Sequence, residues 1–322
     1  MKIVQKYGGS SLADKTCVQR VAKRVLADSV GNQVLVVVSA QGKTTDALTE
    51  KYRELSSTFP SRESDALLIT GEQASAALLA ATIRELGHDA ISLNAAQVPI
   101  FASGSYGAGE ISCIKTDRIK KEWDLGKIII VTGFQGIDSL GNLVTLGRGG
   151  SDTSAVALAA ALHADRCMIF TDVDGVYSTD PRKEKDAHRF SDIKTDSMLR
   201  FAVAGAKVLH PRATELALQY QVPLEILSSF SNEEGTTVSE SAPPRTGLTS
   251  RKEGELSYVS VLFATPPSAP LLNEILSVCC ALSDEIHYGR DSLCAGFSIN
   301  DYNTVMASLH KILFREQKKS CT

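Results

Sequence analysis

Through about the first 230 residues, short apolar runs rich in Val and Ile alternate with longer segments whose apolar positions recur at helical spacing. The runs Lys2–Lys6, Gln33–Ser39, Asp89–Leu93, Lys127–Thr132, Arg166–Thr171 and Val222–Leu227 read as strands, and several end in Gly, Ser or Asp. Spacing and end signals predict helices over Lys15–Ser29, Asp46–Ser56, Glu63–Leu86, Asp117–Glu122, Ser151–His163 and Ala206–Tyr220. Their lengths suit crossovers between parallel strands. The alternation therefore predicts an α/β domain with a largely parallel sheet, whose strand ends are the places to look for a ligand.

Around Ser231–Arg251 the composition shifts to Ser, Glu, Thr, Pro and Gly, and apolar periodicity vanishes, which marks a linker. Beyond it, Leu256–Ala264 is strand-like, Ala269–Cys280 helical, Glu285–Tyr288 and Ser292–Ile299 strand-like, and Thr304–Phe314 helical. The order β-α-β-β-α suits a small α+β module of ferredoxin-like type.

Composition narrows the class. With 322 residues, 43% of them hydrophobic, there is material for two cores, and a formal net charge of −3 offers no basic field for nucleic acid. No uninterrupted apolar stretch reaches the roughly 18 residues of a membrane span, and the amino terminus enters a strand pattern without a secretory apolar region. A cytoplasmic protein that binds neither membrane nor nucleic acid is expected. Seven cysteines, at positions 17, 113, 167, 279, 280, 294 and 321, are odd in number and show no Cys-x-x-Cys pair, so they are expected to be reduced and structural.

The candidate chemistry gathers at turns. Gly147-Arg148-Gly149-Gly150-Ser151-Asp152-Thr153-Ser154 opens an alanine-rich helix, where glycines admit a close ligand, helix N–H groups are unpaired and Arg148 adds a fork for a carboxylate or phosphate. Lys6, followed by Tyr7-Gly8-Gly9-Ser10-Ser11, forms a second anion-favouring corner, although the same residues equally describe a tight turn with an exposed lysine. Gly42-Lys43-Thr44 resembles the end of a P-loop, but Val37 stands where its first glycine belongs, so a Walker A motif is rejected. Glu72 near a helix start reads as a first-turn acid, Asp172 and Asp174 as turn residues or metal-tolerant carboxylates, and Lys207 as a lysine at a helix start. No histidine has metal-ligand spacing, and no Gly-x-Ser-x-Gly elbow supports a serine nucleophile; the hydroxyls of Ser39, Thr45 and Ser151 suit ligand oxygens.

Taken together, Lys6–Ser11, Val38-Ser39-Ala40, Thr70-Gly71-Glu72, the run from Gly133-Phe134-Gln135-Gly136 through Gly147–Thr153, Thr171–Arg182 and Gly205–Pro211 resemble, in order, the aspartate kinases of the amino-acid kinase superfamily. The resemblance implies a three-layer αβα sandwich around a mostly parallel sheet over residues 1–232, a linker at 233–253 and a single ACT-like module at 254–322. It implies phosphorylation of the L-aspartate side-chain carboxylate by ATP with Mg²⁺, giving 4-phospho-L-aspartate on the way to lysine, threonine and methionine. By motif position, Ser39, Thr45, Glu72 and Arg148, Gly149, Gly150 and Ser151 would hold aspartate. Lys6, Gly8, Gly9 and Ser10 would face the phosphates. Thr171, Asp172, Tyr177, Arg182, Lys207 and Val208 would hold the nucleotide, and Lys6, Asp152 and Lys207 would form the catalytic set, with Asp152 orienting the lysines. No residue is implied as a dedicated metal ligand.

Two departures qualify the resemblance. The tail has room for one ACT module where relatives usually carry two, and Thr265-Pro266-Pro267-Ser268 stands where a Gly-rich effector loop is usual, so weakened feedback and a homodimer or higher homo-oligomer are expected. Asn94-Ala95-Ala96-Gln97-Val98 replaces a Gly-Trp-Gln-Ala type segment near the substrate side. A kinase for another amino acid or aspartate analogue, or a catalytically idle ligand-sensing subunit, therefore stands as the alternative.

Overall fold

The computed structural model describes residues 1–315; Cys321 lies outside them. In chain order the elements are β1 (Lys2–Tyr7), α1 (Lys15–Ser29), β2 (Gln33–Val38), α2 (Thr44–Leu55), α3 (Arg62–Leu68), α4 (Thr70–Glu85), β3 (Ala90–Leu93), β4 (Ile100–Ser103), β5 (Glu110–Ile114) and α5 (Asp117–Asp124). Then come β6 (Ile128–Thr132), β7 (Gln135–Ile137), β8 (Leu143–Thr145), α6 (Gly150–Leu162), β9 (Arg166–Thr171), β10 (Asp192–Lys194), α7 (Thr195–Val203), α8 (Pro211–Tyr220) and β11 (Leu224–Ser228). The last are β12 (Thr236–Ser239), β13 (Gly247–Glu253), β14 (Leu256–Leu262), α9 (Ala269–Cys280), β15 (Ile286–Tyr288), β16 (Ser292–Phe297) and α10 (Ile299–Leu313). Two compact units emerge, one of residues 1–174 with 215–235, the other of residues 175–214 with 236 onward.

In the first unit, β11, β9, β1, β2, β6 and β3 lie side by side in that order, and every pairing is parallel. The period-2 alternation of β1 sorts its side chains between two layers. Ile3 and Tyr7 join Val34, Val36, Val38, Ile130 and Phe170 in a core roofed by Val18, Val21 and Val25 of α1 and Leu79 and Ile83 of α4. Tyr7 stacks on Phe170 with ring centroids 4.6 Å apart. Val4 and Lys6 point the other way, toward α6, which packs on β1, β2 and β9. The α6 sequence is apolar almost all round, and ten of its residues are buried, as a helix without a polar face must be. Helix, sheet and helix thus form the expected three-layer αβα arrangement with a mostly parallel central sheet.

Beside this sheet, β5, β4, β7 and β8 form a small mixed sheet that the sequence did not reveal. Its strands are three to five residues long and β5 is largely exposed, so they carry almost no apolar signature. The single helix expected over Glu63–Leu86 breaks at Ile69 into α3 and α4. Taken as one stretch, Arg62–Glu85 is long and apolar enough to cross a membrane by length and composition, yet half of that stretch is buried in the fold, where α4 packs on β3 and β6.

In the second unit, β10 pairs in parallel with β12, and β13, β14, β16 and β15 form an antiparallel sheet. One face of the sheet, with Leu248, Val259, Val261, Leu293, Ala295 and Phe297, meets Ile275 and Cys279 of α9 and Val305, Met306 and Leu309 of α10. The expected α+β module is present. The segment expected as a linker at 233–253 instead carries β12 and β13, and β13 extends the module's sheet by pairing with β14. Its first three residues are buried and its last three exposed, which is why its apolar periodicity was missed. The helix expected from Ala206 begins at Pro211, because Gly205 adopts φ +111 and proline is well suited to a first helical turn. Lys207 and Val208 therefore lie in the loop before α8 rather than at a helix start.

Candidate functional site

Parallel register brings the carboxyl ends of β1, β2 and β9 level, with Lys6 opposite Val37 on one side and Ile169 on the other. Because Lys6 points to the α6 layer, its Nζ reaches the first turn of that helix and lies 2.7 Å from Asp152 Oδ1. Both side chains are largely shielded, 12% and 14% exposed, so the pair is screened far less than a surface ion pair. The helix dipole adds to the hold on Asp152, whose carboxylate sits in a first turn. The turn runs close to the amine, since a Cβ built on Gly8 would stand in ordinary contact, 3.4 Å, with Lys6 Nζ.

The next turn packs backbone on backbone. Gly42 N–H donates to Gly9 O at 2.9 Å, and a Cβ on Gly9 would lie 2.7 Å from Ala40 O, so only glycine fits between the β1 and β2 turns. Ser10 is exposed and Ser39 half-buried at the same end of the sheet, while Thr45 sits half-buried in the first turn of α2. Thr171 and Asp172 close β9, with the Thr171 hydroxyl donating to Asp172 Oδ1 at 3.1 Å.

The corner before α6 is built by conformation. Gly147 and Gly149 have φ +74 and +73, and Gly150 N–H donates to Gly147 O at 3.0 Å. A Cβ on Gly133 would fall 2.8 Å from Ser151, so β6 and the start of α6 nearly touch. This leaves Ser151 buried at the helix entrance and Arg148 exposed, with no ion pair or hydrogen bond for its guanidinium among the described residues. Opposite in chemistry stands Glu72, 3% exposed in the first turn of α4. Its Oε1 accepts the Ala40 N–H at 3.0 Å, while Oε2 is buried without a hydrogen-bond partner. Burial pushes the carboxyl up to about 7, against the lowering effect of the Ala40 N–H.

A residue that sequence reasoning passed over supports the same corner. Asp65 is fully buried in α3; its Oδ2 accepts the N–H groups of Gly107 and Thr145 at 2.9 and 2.7 Å, and its Oδ1 the Thr145 hydroxyl at 3.0 Å. Thr145 lies three residues before Arg148, so Asp65 ties the glycine corner to α3. Desolvation holds the Asp65 carboxyl above its usual value, with the three hydrogen bonds opposing. Its signal in the sequence was an acid on the apolar side of a helix, which spacing alone does not separate from an exposed one.

The remaining site candidates belong to the second unit. Half-buried Tyr177 bridges to Arg189, exposed Arg182 pairs with Asp180 at 3.0 Å, and Lys207 is exposed with Val208 half-buried beside it. Among the described residues, no group of three His, Cys, Asp or Glu side chains forms a metal cage.

The profile of the amino acid kinase family matches residues 1–228. An aspartokinase of Bacillus sp. (strain MGA3) is 47% identical over 279 residues, covering 85% of this chain and 68% of that protein. An aspartokinase of Geobacillus stearothermophilus is 52% identical over 239 residues, covering 74% of this chain and 59% of that protein, so the chain spans roughly three fifths to two thirds of these relatives. The fold of E. coli aspartokinase III, solved with aspartate and ADP, superposes with a TM-score of 0.81 at 22% identity, covering 98% of this chain and 100% of that one. A sheet-end lysine clamped by a helix-start aspartate, a glycine corner with an open arginine, and these likenesses over most of the length place the chain in the amino acid kinase family, among the aspartokinases.

Proposed function

We propose that this chain is an aspartate kinase, transferring the terminal phosphoryl group of ATP to the side-chain carboxylate of L-aspartate. The observation that carries the reading is the shielded Lys6–Asp152 pair beside the Gly8-Gly9 turn, next to a corner that leaves Arg148 open. A carboxylate nucleophile is already ionised at neutral pH, so the reaction needs no strong base. It needs two anions brought together. Asp152 holds the Lys6 ammonium over the turn, where it would cancel charge on the phosphates. Arg148 would take an aspartate carboxylate by its fork, and the buried, unpartnered Oε2 of Glu72 would receive the aspartate ammonium. Ser39, Thr45, Gly149, Gly150 and Ser151 would complete that pocket.

Gly9 and Ser10 with the β1 turn, and Thr171, Asp172, Tyr177, Arg182, Lys207 and Val208 by their motifs, are assigned to the nucleotide, Lys207 as the second cation of the catalytic set. Mg²⁺ bound with the nucleotide would add to this neutralisation of phosphate charge. In this reading residues 1–232 carry the kinase chemistry, the ACT-like module with β13 joins subunits into a homodimer or higher oligomer, and the enzyme works in the cytoplasm at the head of lysine, threonine and methionine synthesis.

The test is a coupled assay of ADP release with a panel of amino acids, with and without lysine and threonine. Turnover with L-aspartate well above all others is expected. Turnover with a different amino acid would reassign the substrate, and none with any would leave the ligand-sensing alternative.

A further inference from the structure

The long C-terminal helix α10 lies in the same compact unit as the loop that carries Tyr177 and Arg182. Two of its side chains grip that loop. Tyr302 accepts a hydrogen bond from Lys183 Nζ at 2.8 Å, and the same ammonium lies 4.6 Å from the centre of the Tyr302 ring. Tyr302 is itself held, its hydroxyl 2.7 Å from Ser250 Oγ on β13. Two turns further along α10, His310 is 4% exposed and its Nε2 lies 3.0 Å from Ser178 Oγ. Ser178 is fully buried, accepts the His188 N–H at 3.1 Å through its hydroxyl, and exchanges backbone bonds with His188 and Leu248. The His188 ring meets Phe314, at the end of α10, edge-on at 4.8 Å.

The anchored residues have telling neighbours in the chain: Ser178 follows Tyr177, and Lys183 follows Arg182. Each residue assigned to the nucleotide in this loop is therefore one peptide bond from a side chain held by α10. The turn at 180–183 is charged and mostly exposed, with little apolar burial of its own, whereas Val176, Ser178 and Thr179 before it are buried. The bonds from α10 add to those the loop makes with His188, Phe190, Leu248 and Thr236, and they come from the module that the sequence placed after the kinase domain.

We propose that Tyr302 and His310 are positioning residues for nucleotide binding: α10 sets the conformation of the 176–184 loop and through it the placement of Tyr177 and Arg182. The assignment of those two residues to the nucleotide rests on the proposed kinase function. The positioning contacts themselves do not. A shift of α10 would move both anchors together.

The experiment uses the full chain with Tyr302→Phe, which keeps the ring under Lys183 and removes only the hydroxyl, and His310→Gln, which keeps a polar group near Ser178. Hydrogen exchange across 176–184, read whether or not the protein turns over, is expected to speed up in both variants while α1 and α4 stay protected. In the active enzyme, KM for ATP is expected to rise about fivefold per variant, the size of one lost hydrogen bond, with kcat and KM for aspartate near wild type. Unchanged exchange in the loop overturns the positioning role, and so does an equal loss in kcat and both KM values. A wild-type chain that is inactive with every amino acid, yet shows the loop loosening in the variants, sinks the kinase reading and leaves the positioning contacts standing.

Discussion

Glu72→Gln isolates a buried carboxyl of the first unit whose charge state the fold controls. Burial raises the Glu72 carboxyl to about 7, well above the 4.5 expected of the unfolded chain. The folded protein therefore holds a proton between those values that the unfolded chain has released. Stability linked to Glu72 is highest below pH 4.5, declines as pH rises through the window, and reaches its full deficit above pH 7. That deficit is on the order of 3 kcal/mol, because each tenfold change in proton affinity is worth about 1.4 kcal/mol. Glutamine keeps an oxygen for the Ala40 N–H, and it sets an NH₂ where Oε2 now lacks a partner, which costs about 1 kcal/mol at any pH. The variant should thus be about 2 kcal/mol more stable than wild type at pH 8 and about as stable as wild type at pH 5, where roughly 0.8 kcal/mol of the wild-type deficit is already present. Urea unfolding followed by the fluorescence of Trp123 measures this directly. It is the sole tryptophan, 5% exposed in the first unit, and its indole N–H donates to Val34 O at 3.1 Å. An identical difference at both pH values would refute the assignment of a protonated, desolvated carboxyl. With Glu72 in its proposed role of receiving the aspartate ammonium, aspartate should bind more tightly as pH rises through 7, and the glutamine variant should lose that dependence.

Further outcomes follow from the site geometry. Lys6→Ala should lower turnover by two to three orders of magnitude, the range of one electrostatic contact to a transition state, while the circular dichroism spectrum stays native; turnover within a few-fold of wild type would remove Lys6 from the chemistry. Arg148→Ala should raise KM for aspartate strongly and leave KM for ATP near wild type, because the guanidinium has no structural bond to lose among the described residues; a shift confined to ATP would reassign it. Gly71→Ala places a Cβ 2.7 Å from the Ala40 Cβ and should destabilise the first unit by about 1–3 kcal/mol in the urea experiment, an overpacking cost. A thiol reagent should label Cys113 and Cys280 rapidly in the folded chain and Cys17, Cys167 and Cys279 only on unfolding, since the first two are exposed and burial pushes the Cys167 and Cys279 thiols up; early labelling of Cys167 by mass spectrometry would contradict the packing of β9.

The parallel sheet was legible because its strands are nearly continuous Val and Ile runs separated by helix-period segments, a pattern written locally in the chain. Lys15–Ser29, Arg166–Thr171 and Ala269–Cys280 match their expected limits residue for residue. Lys6, Glu72 and the glycine corner were legible as residue types at turns. What the chain alone left undecided were matters of environment: that Lys6 faces α6 and meets Asp152 146 positions away, that Glu72 has an oxygen without a partner, and that Asp65 is a buried tie. Burial, partners and charge state depend on which distant segments arrive beside a residue, and no local period encodes that. The short strands β4, β5, β7, β8, β12 and β13 belong to the same class, since three to seven residues gain strand geometry only from the neighbour they pair with. The grip of α10 on Ser178 and Lys183 is the furthest case, because contacts spanning 119 and 132 positions exist only once the second unit has folded.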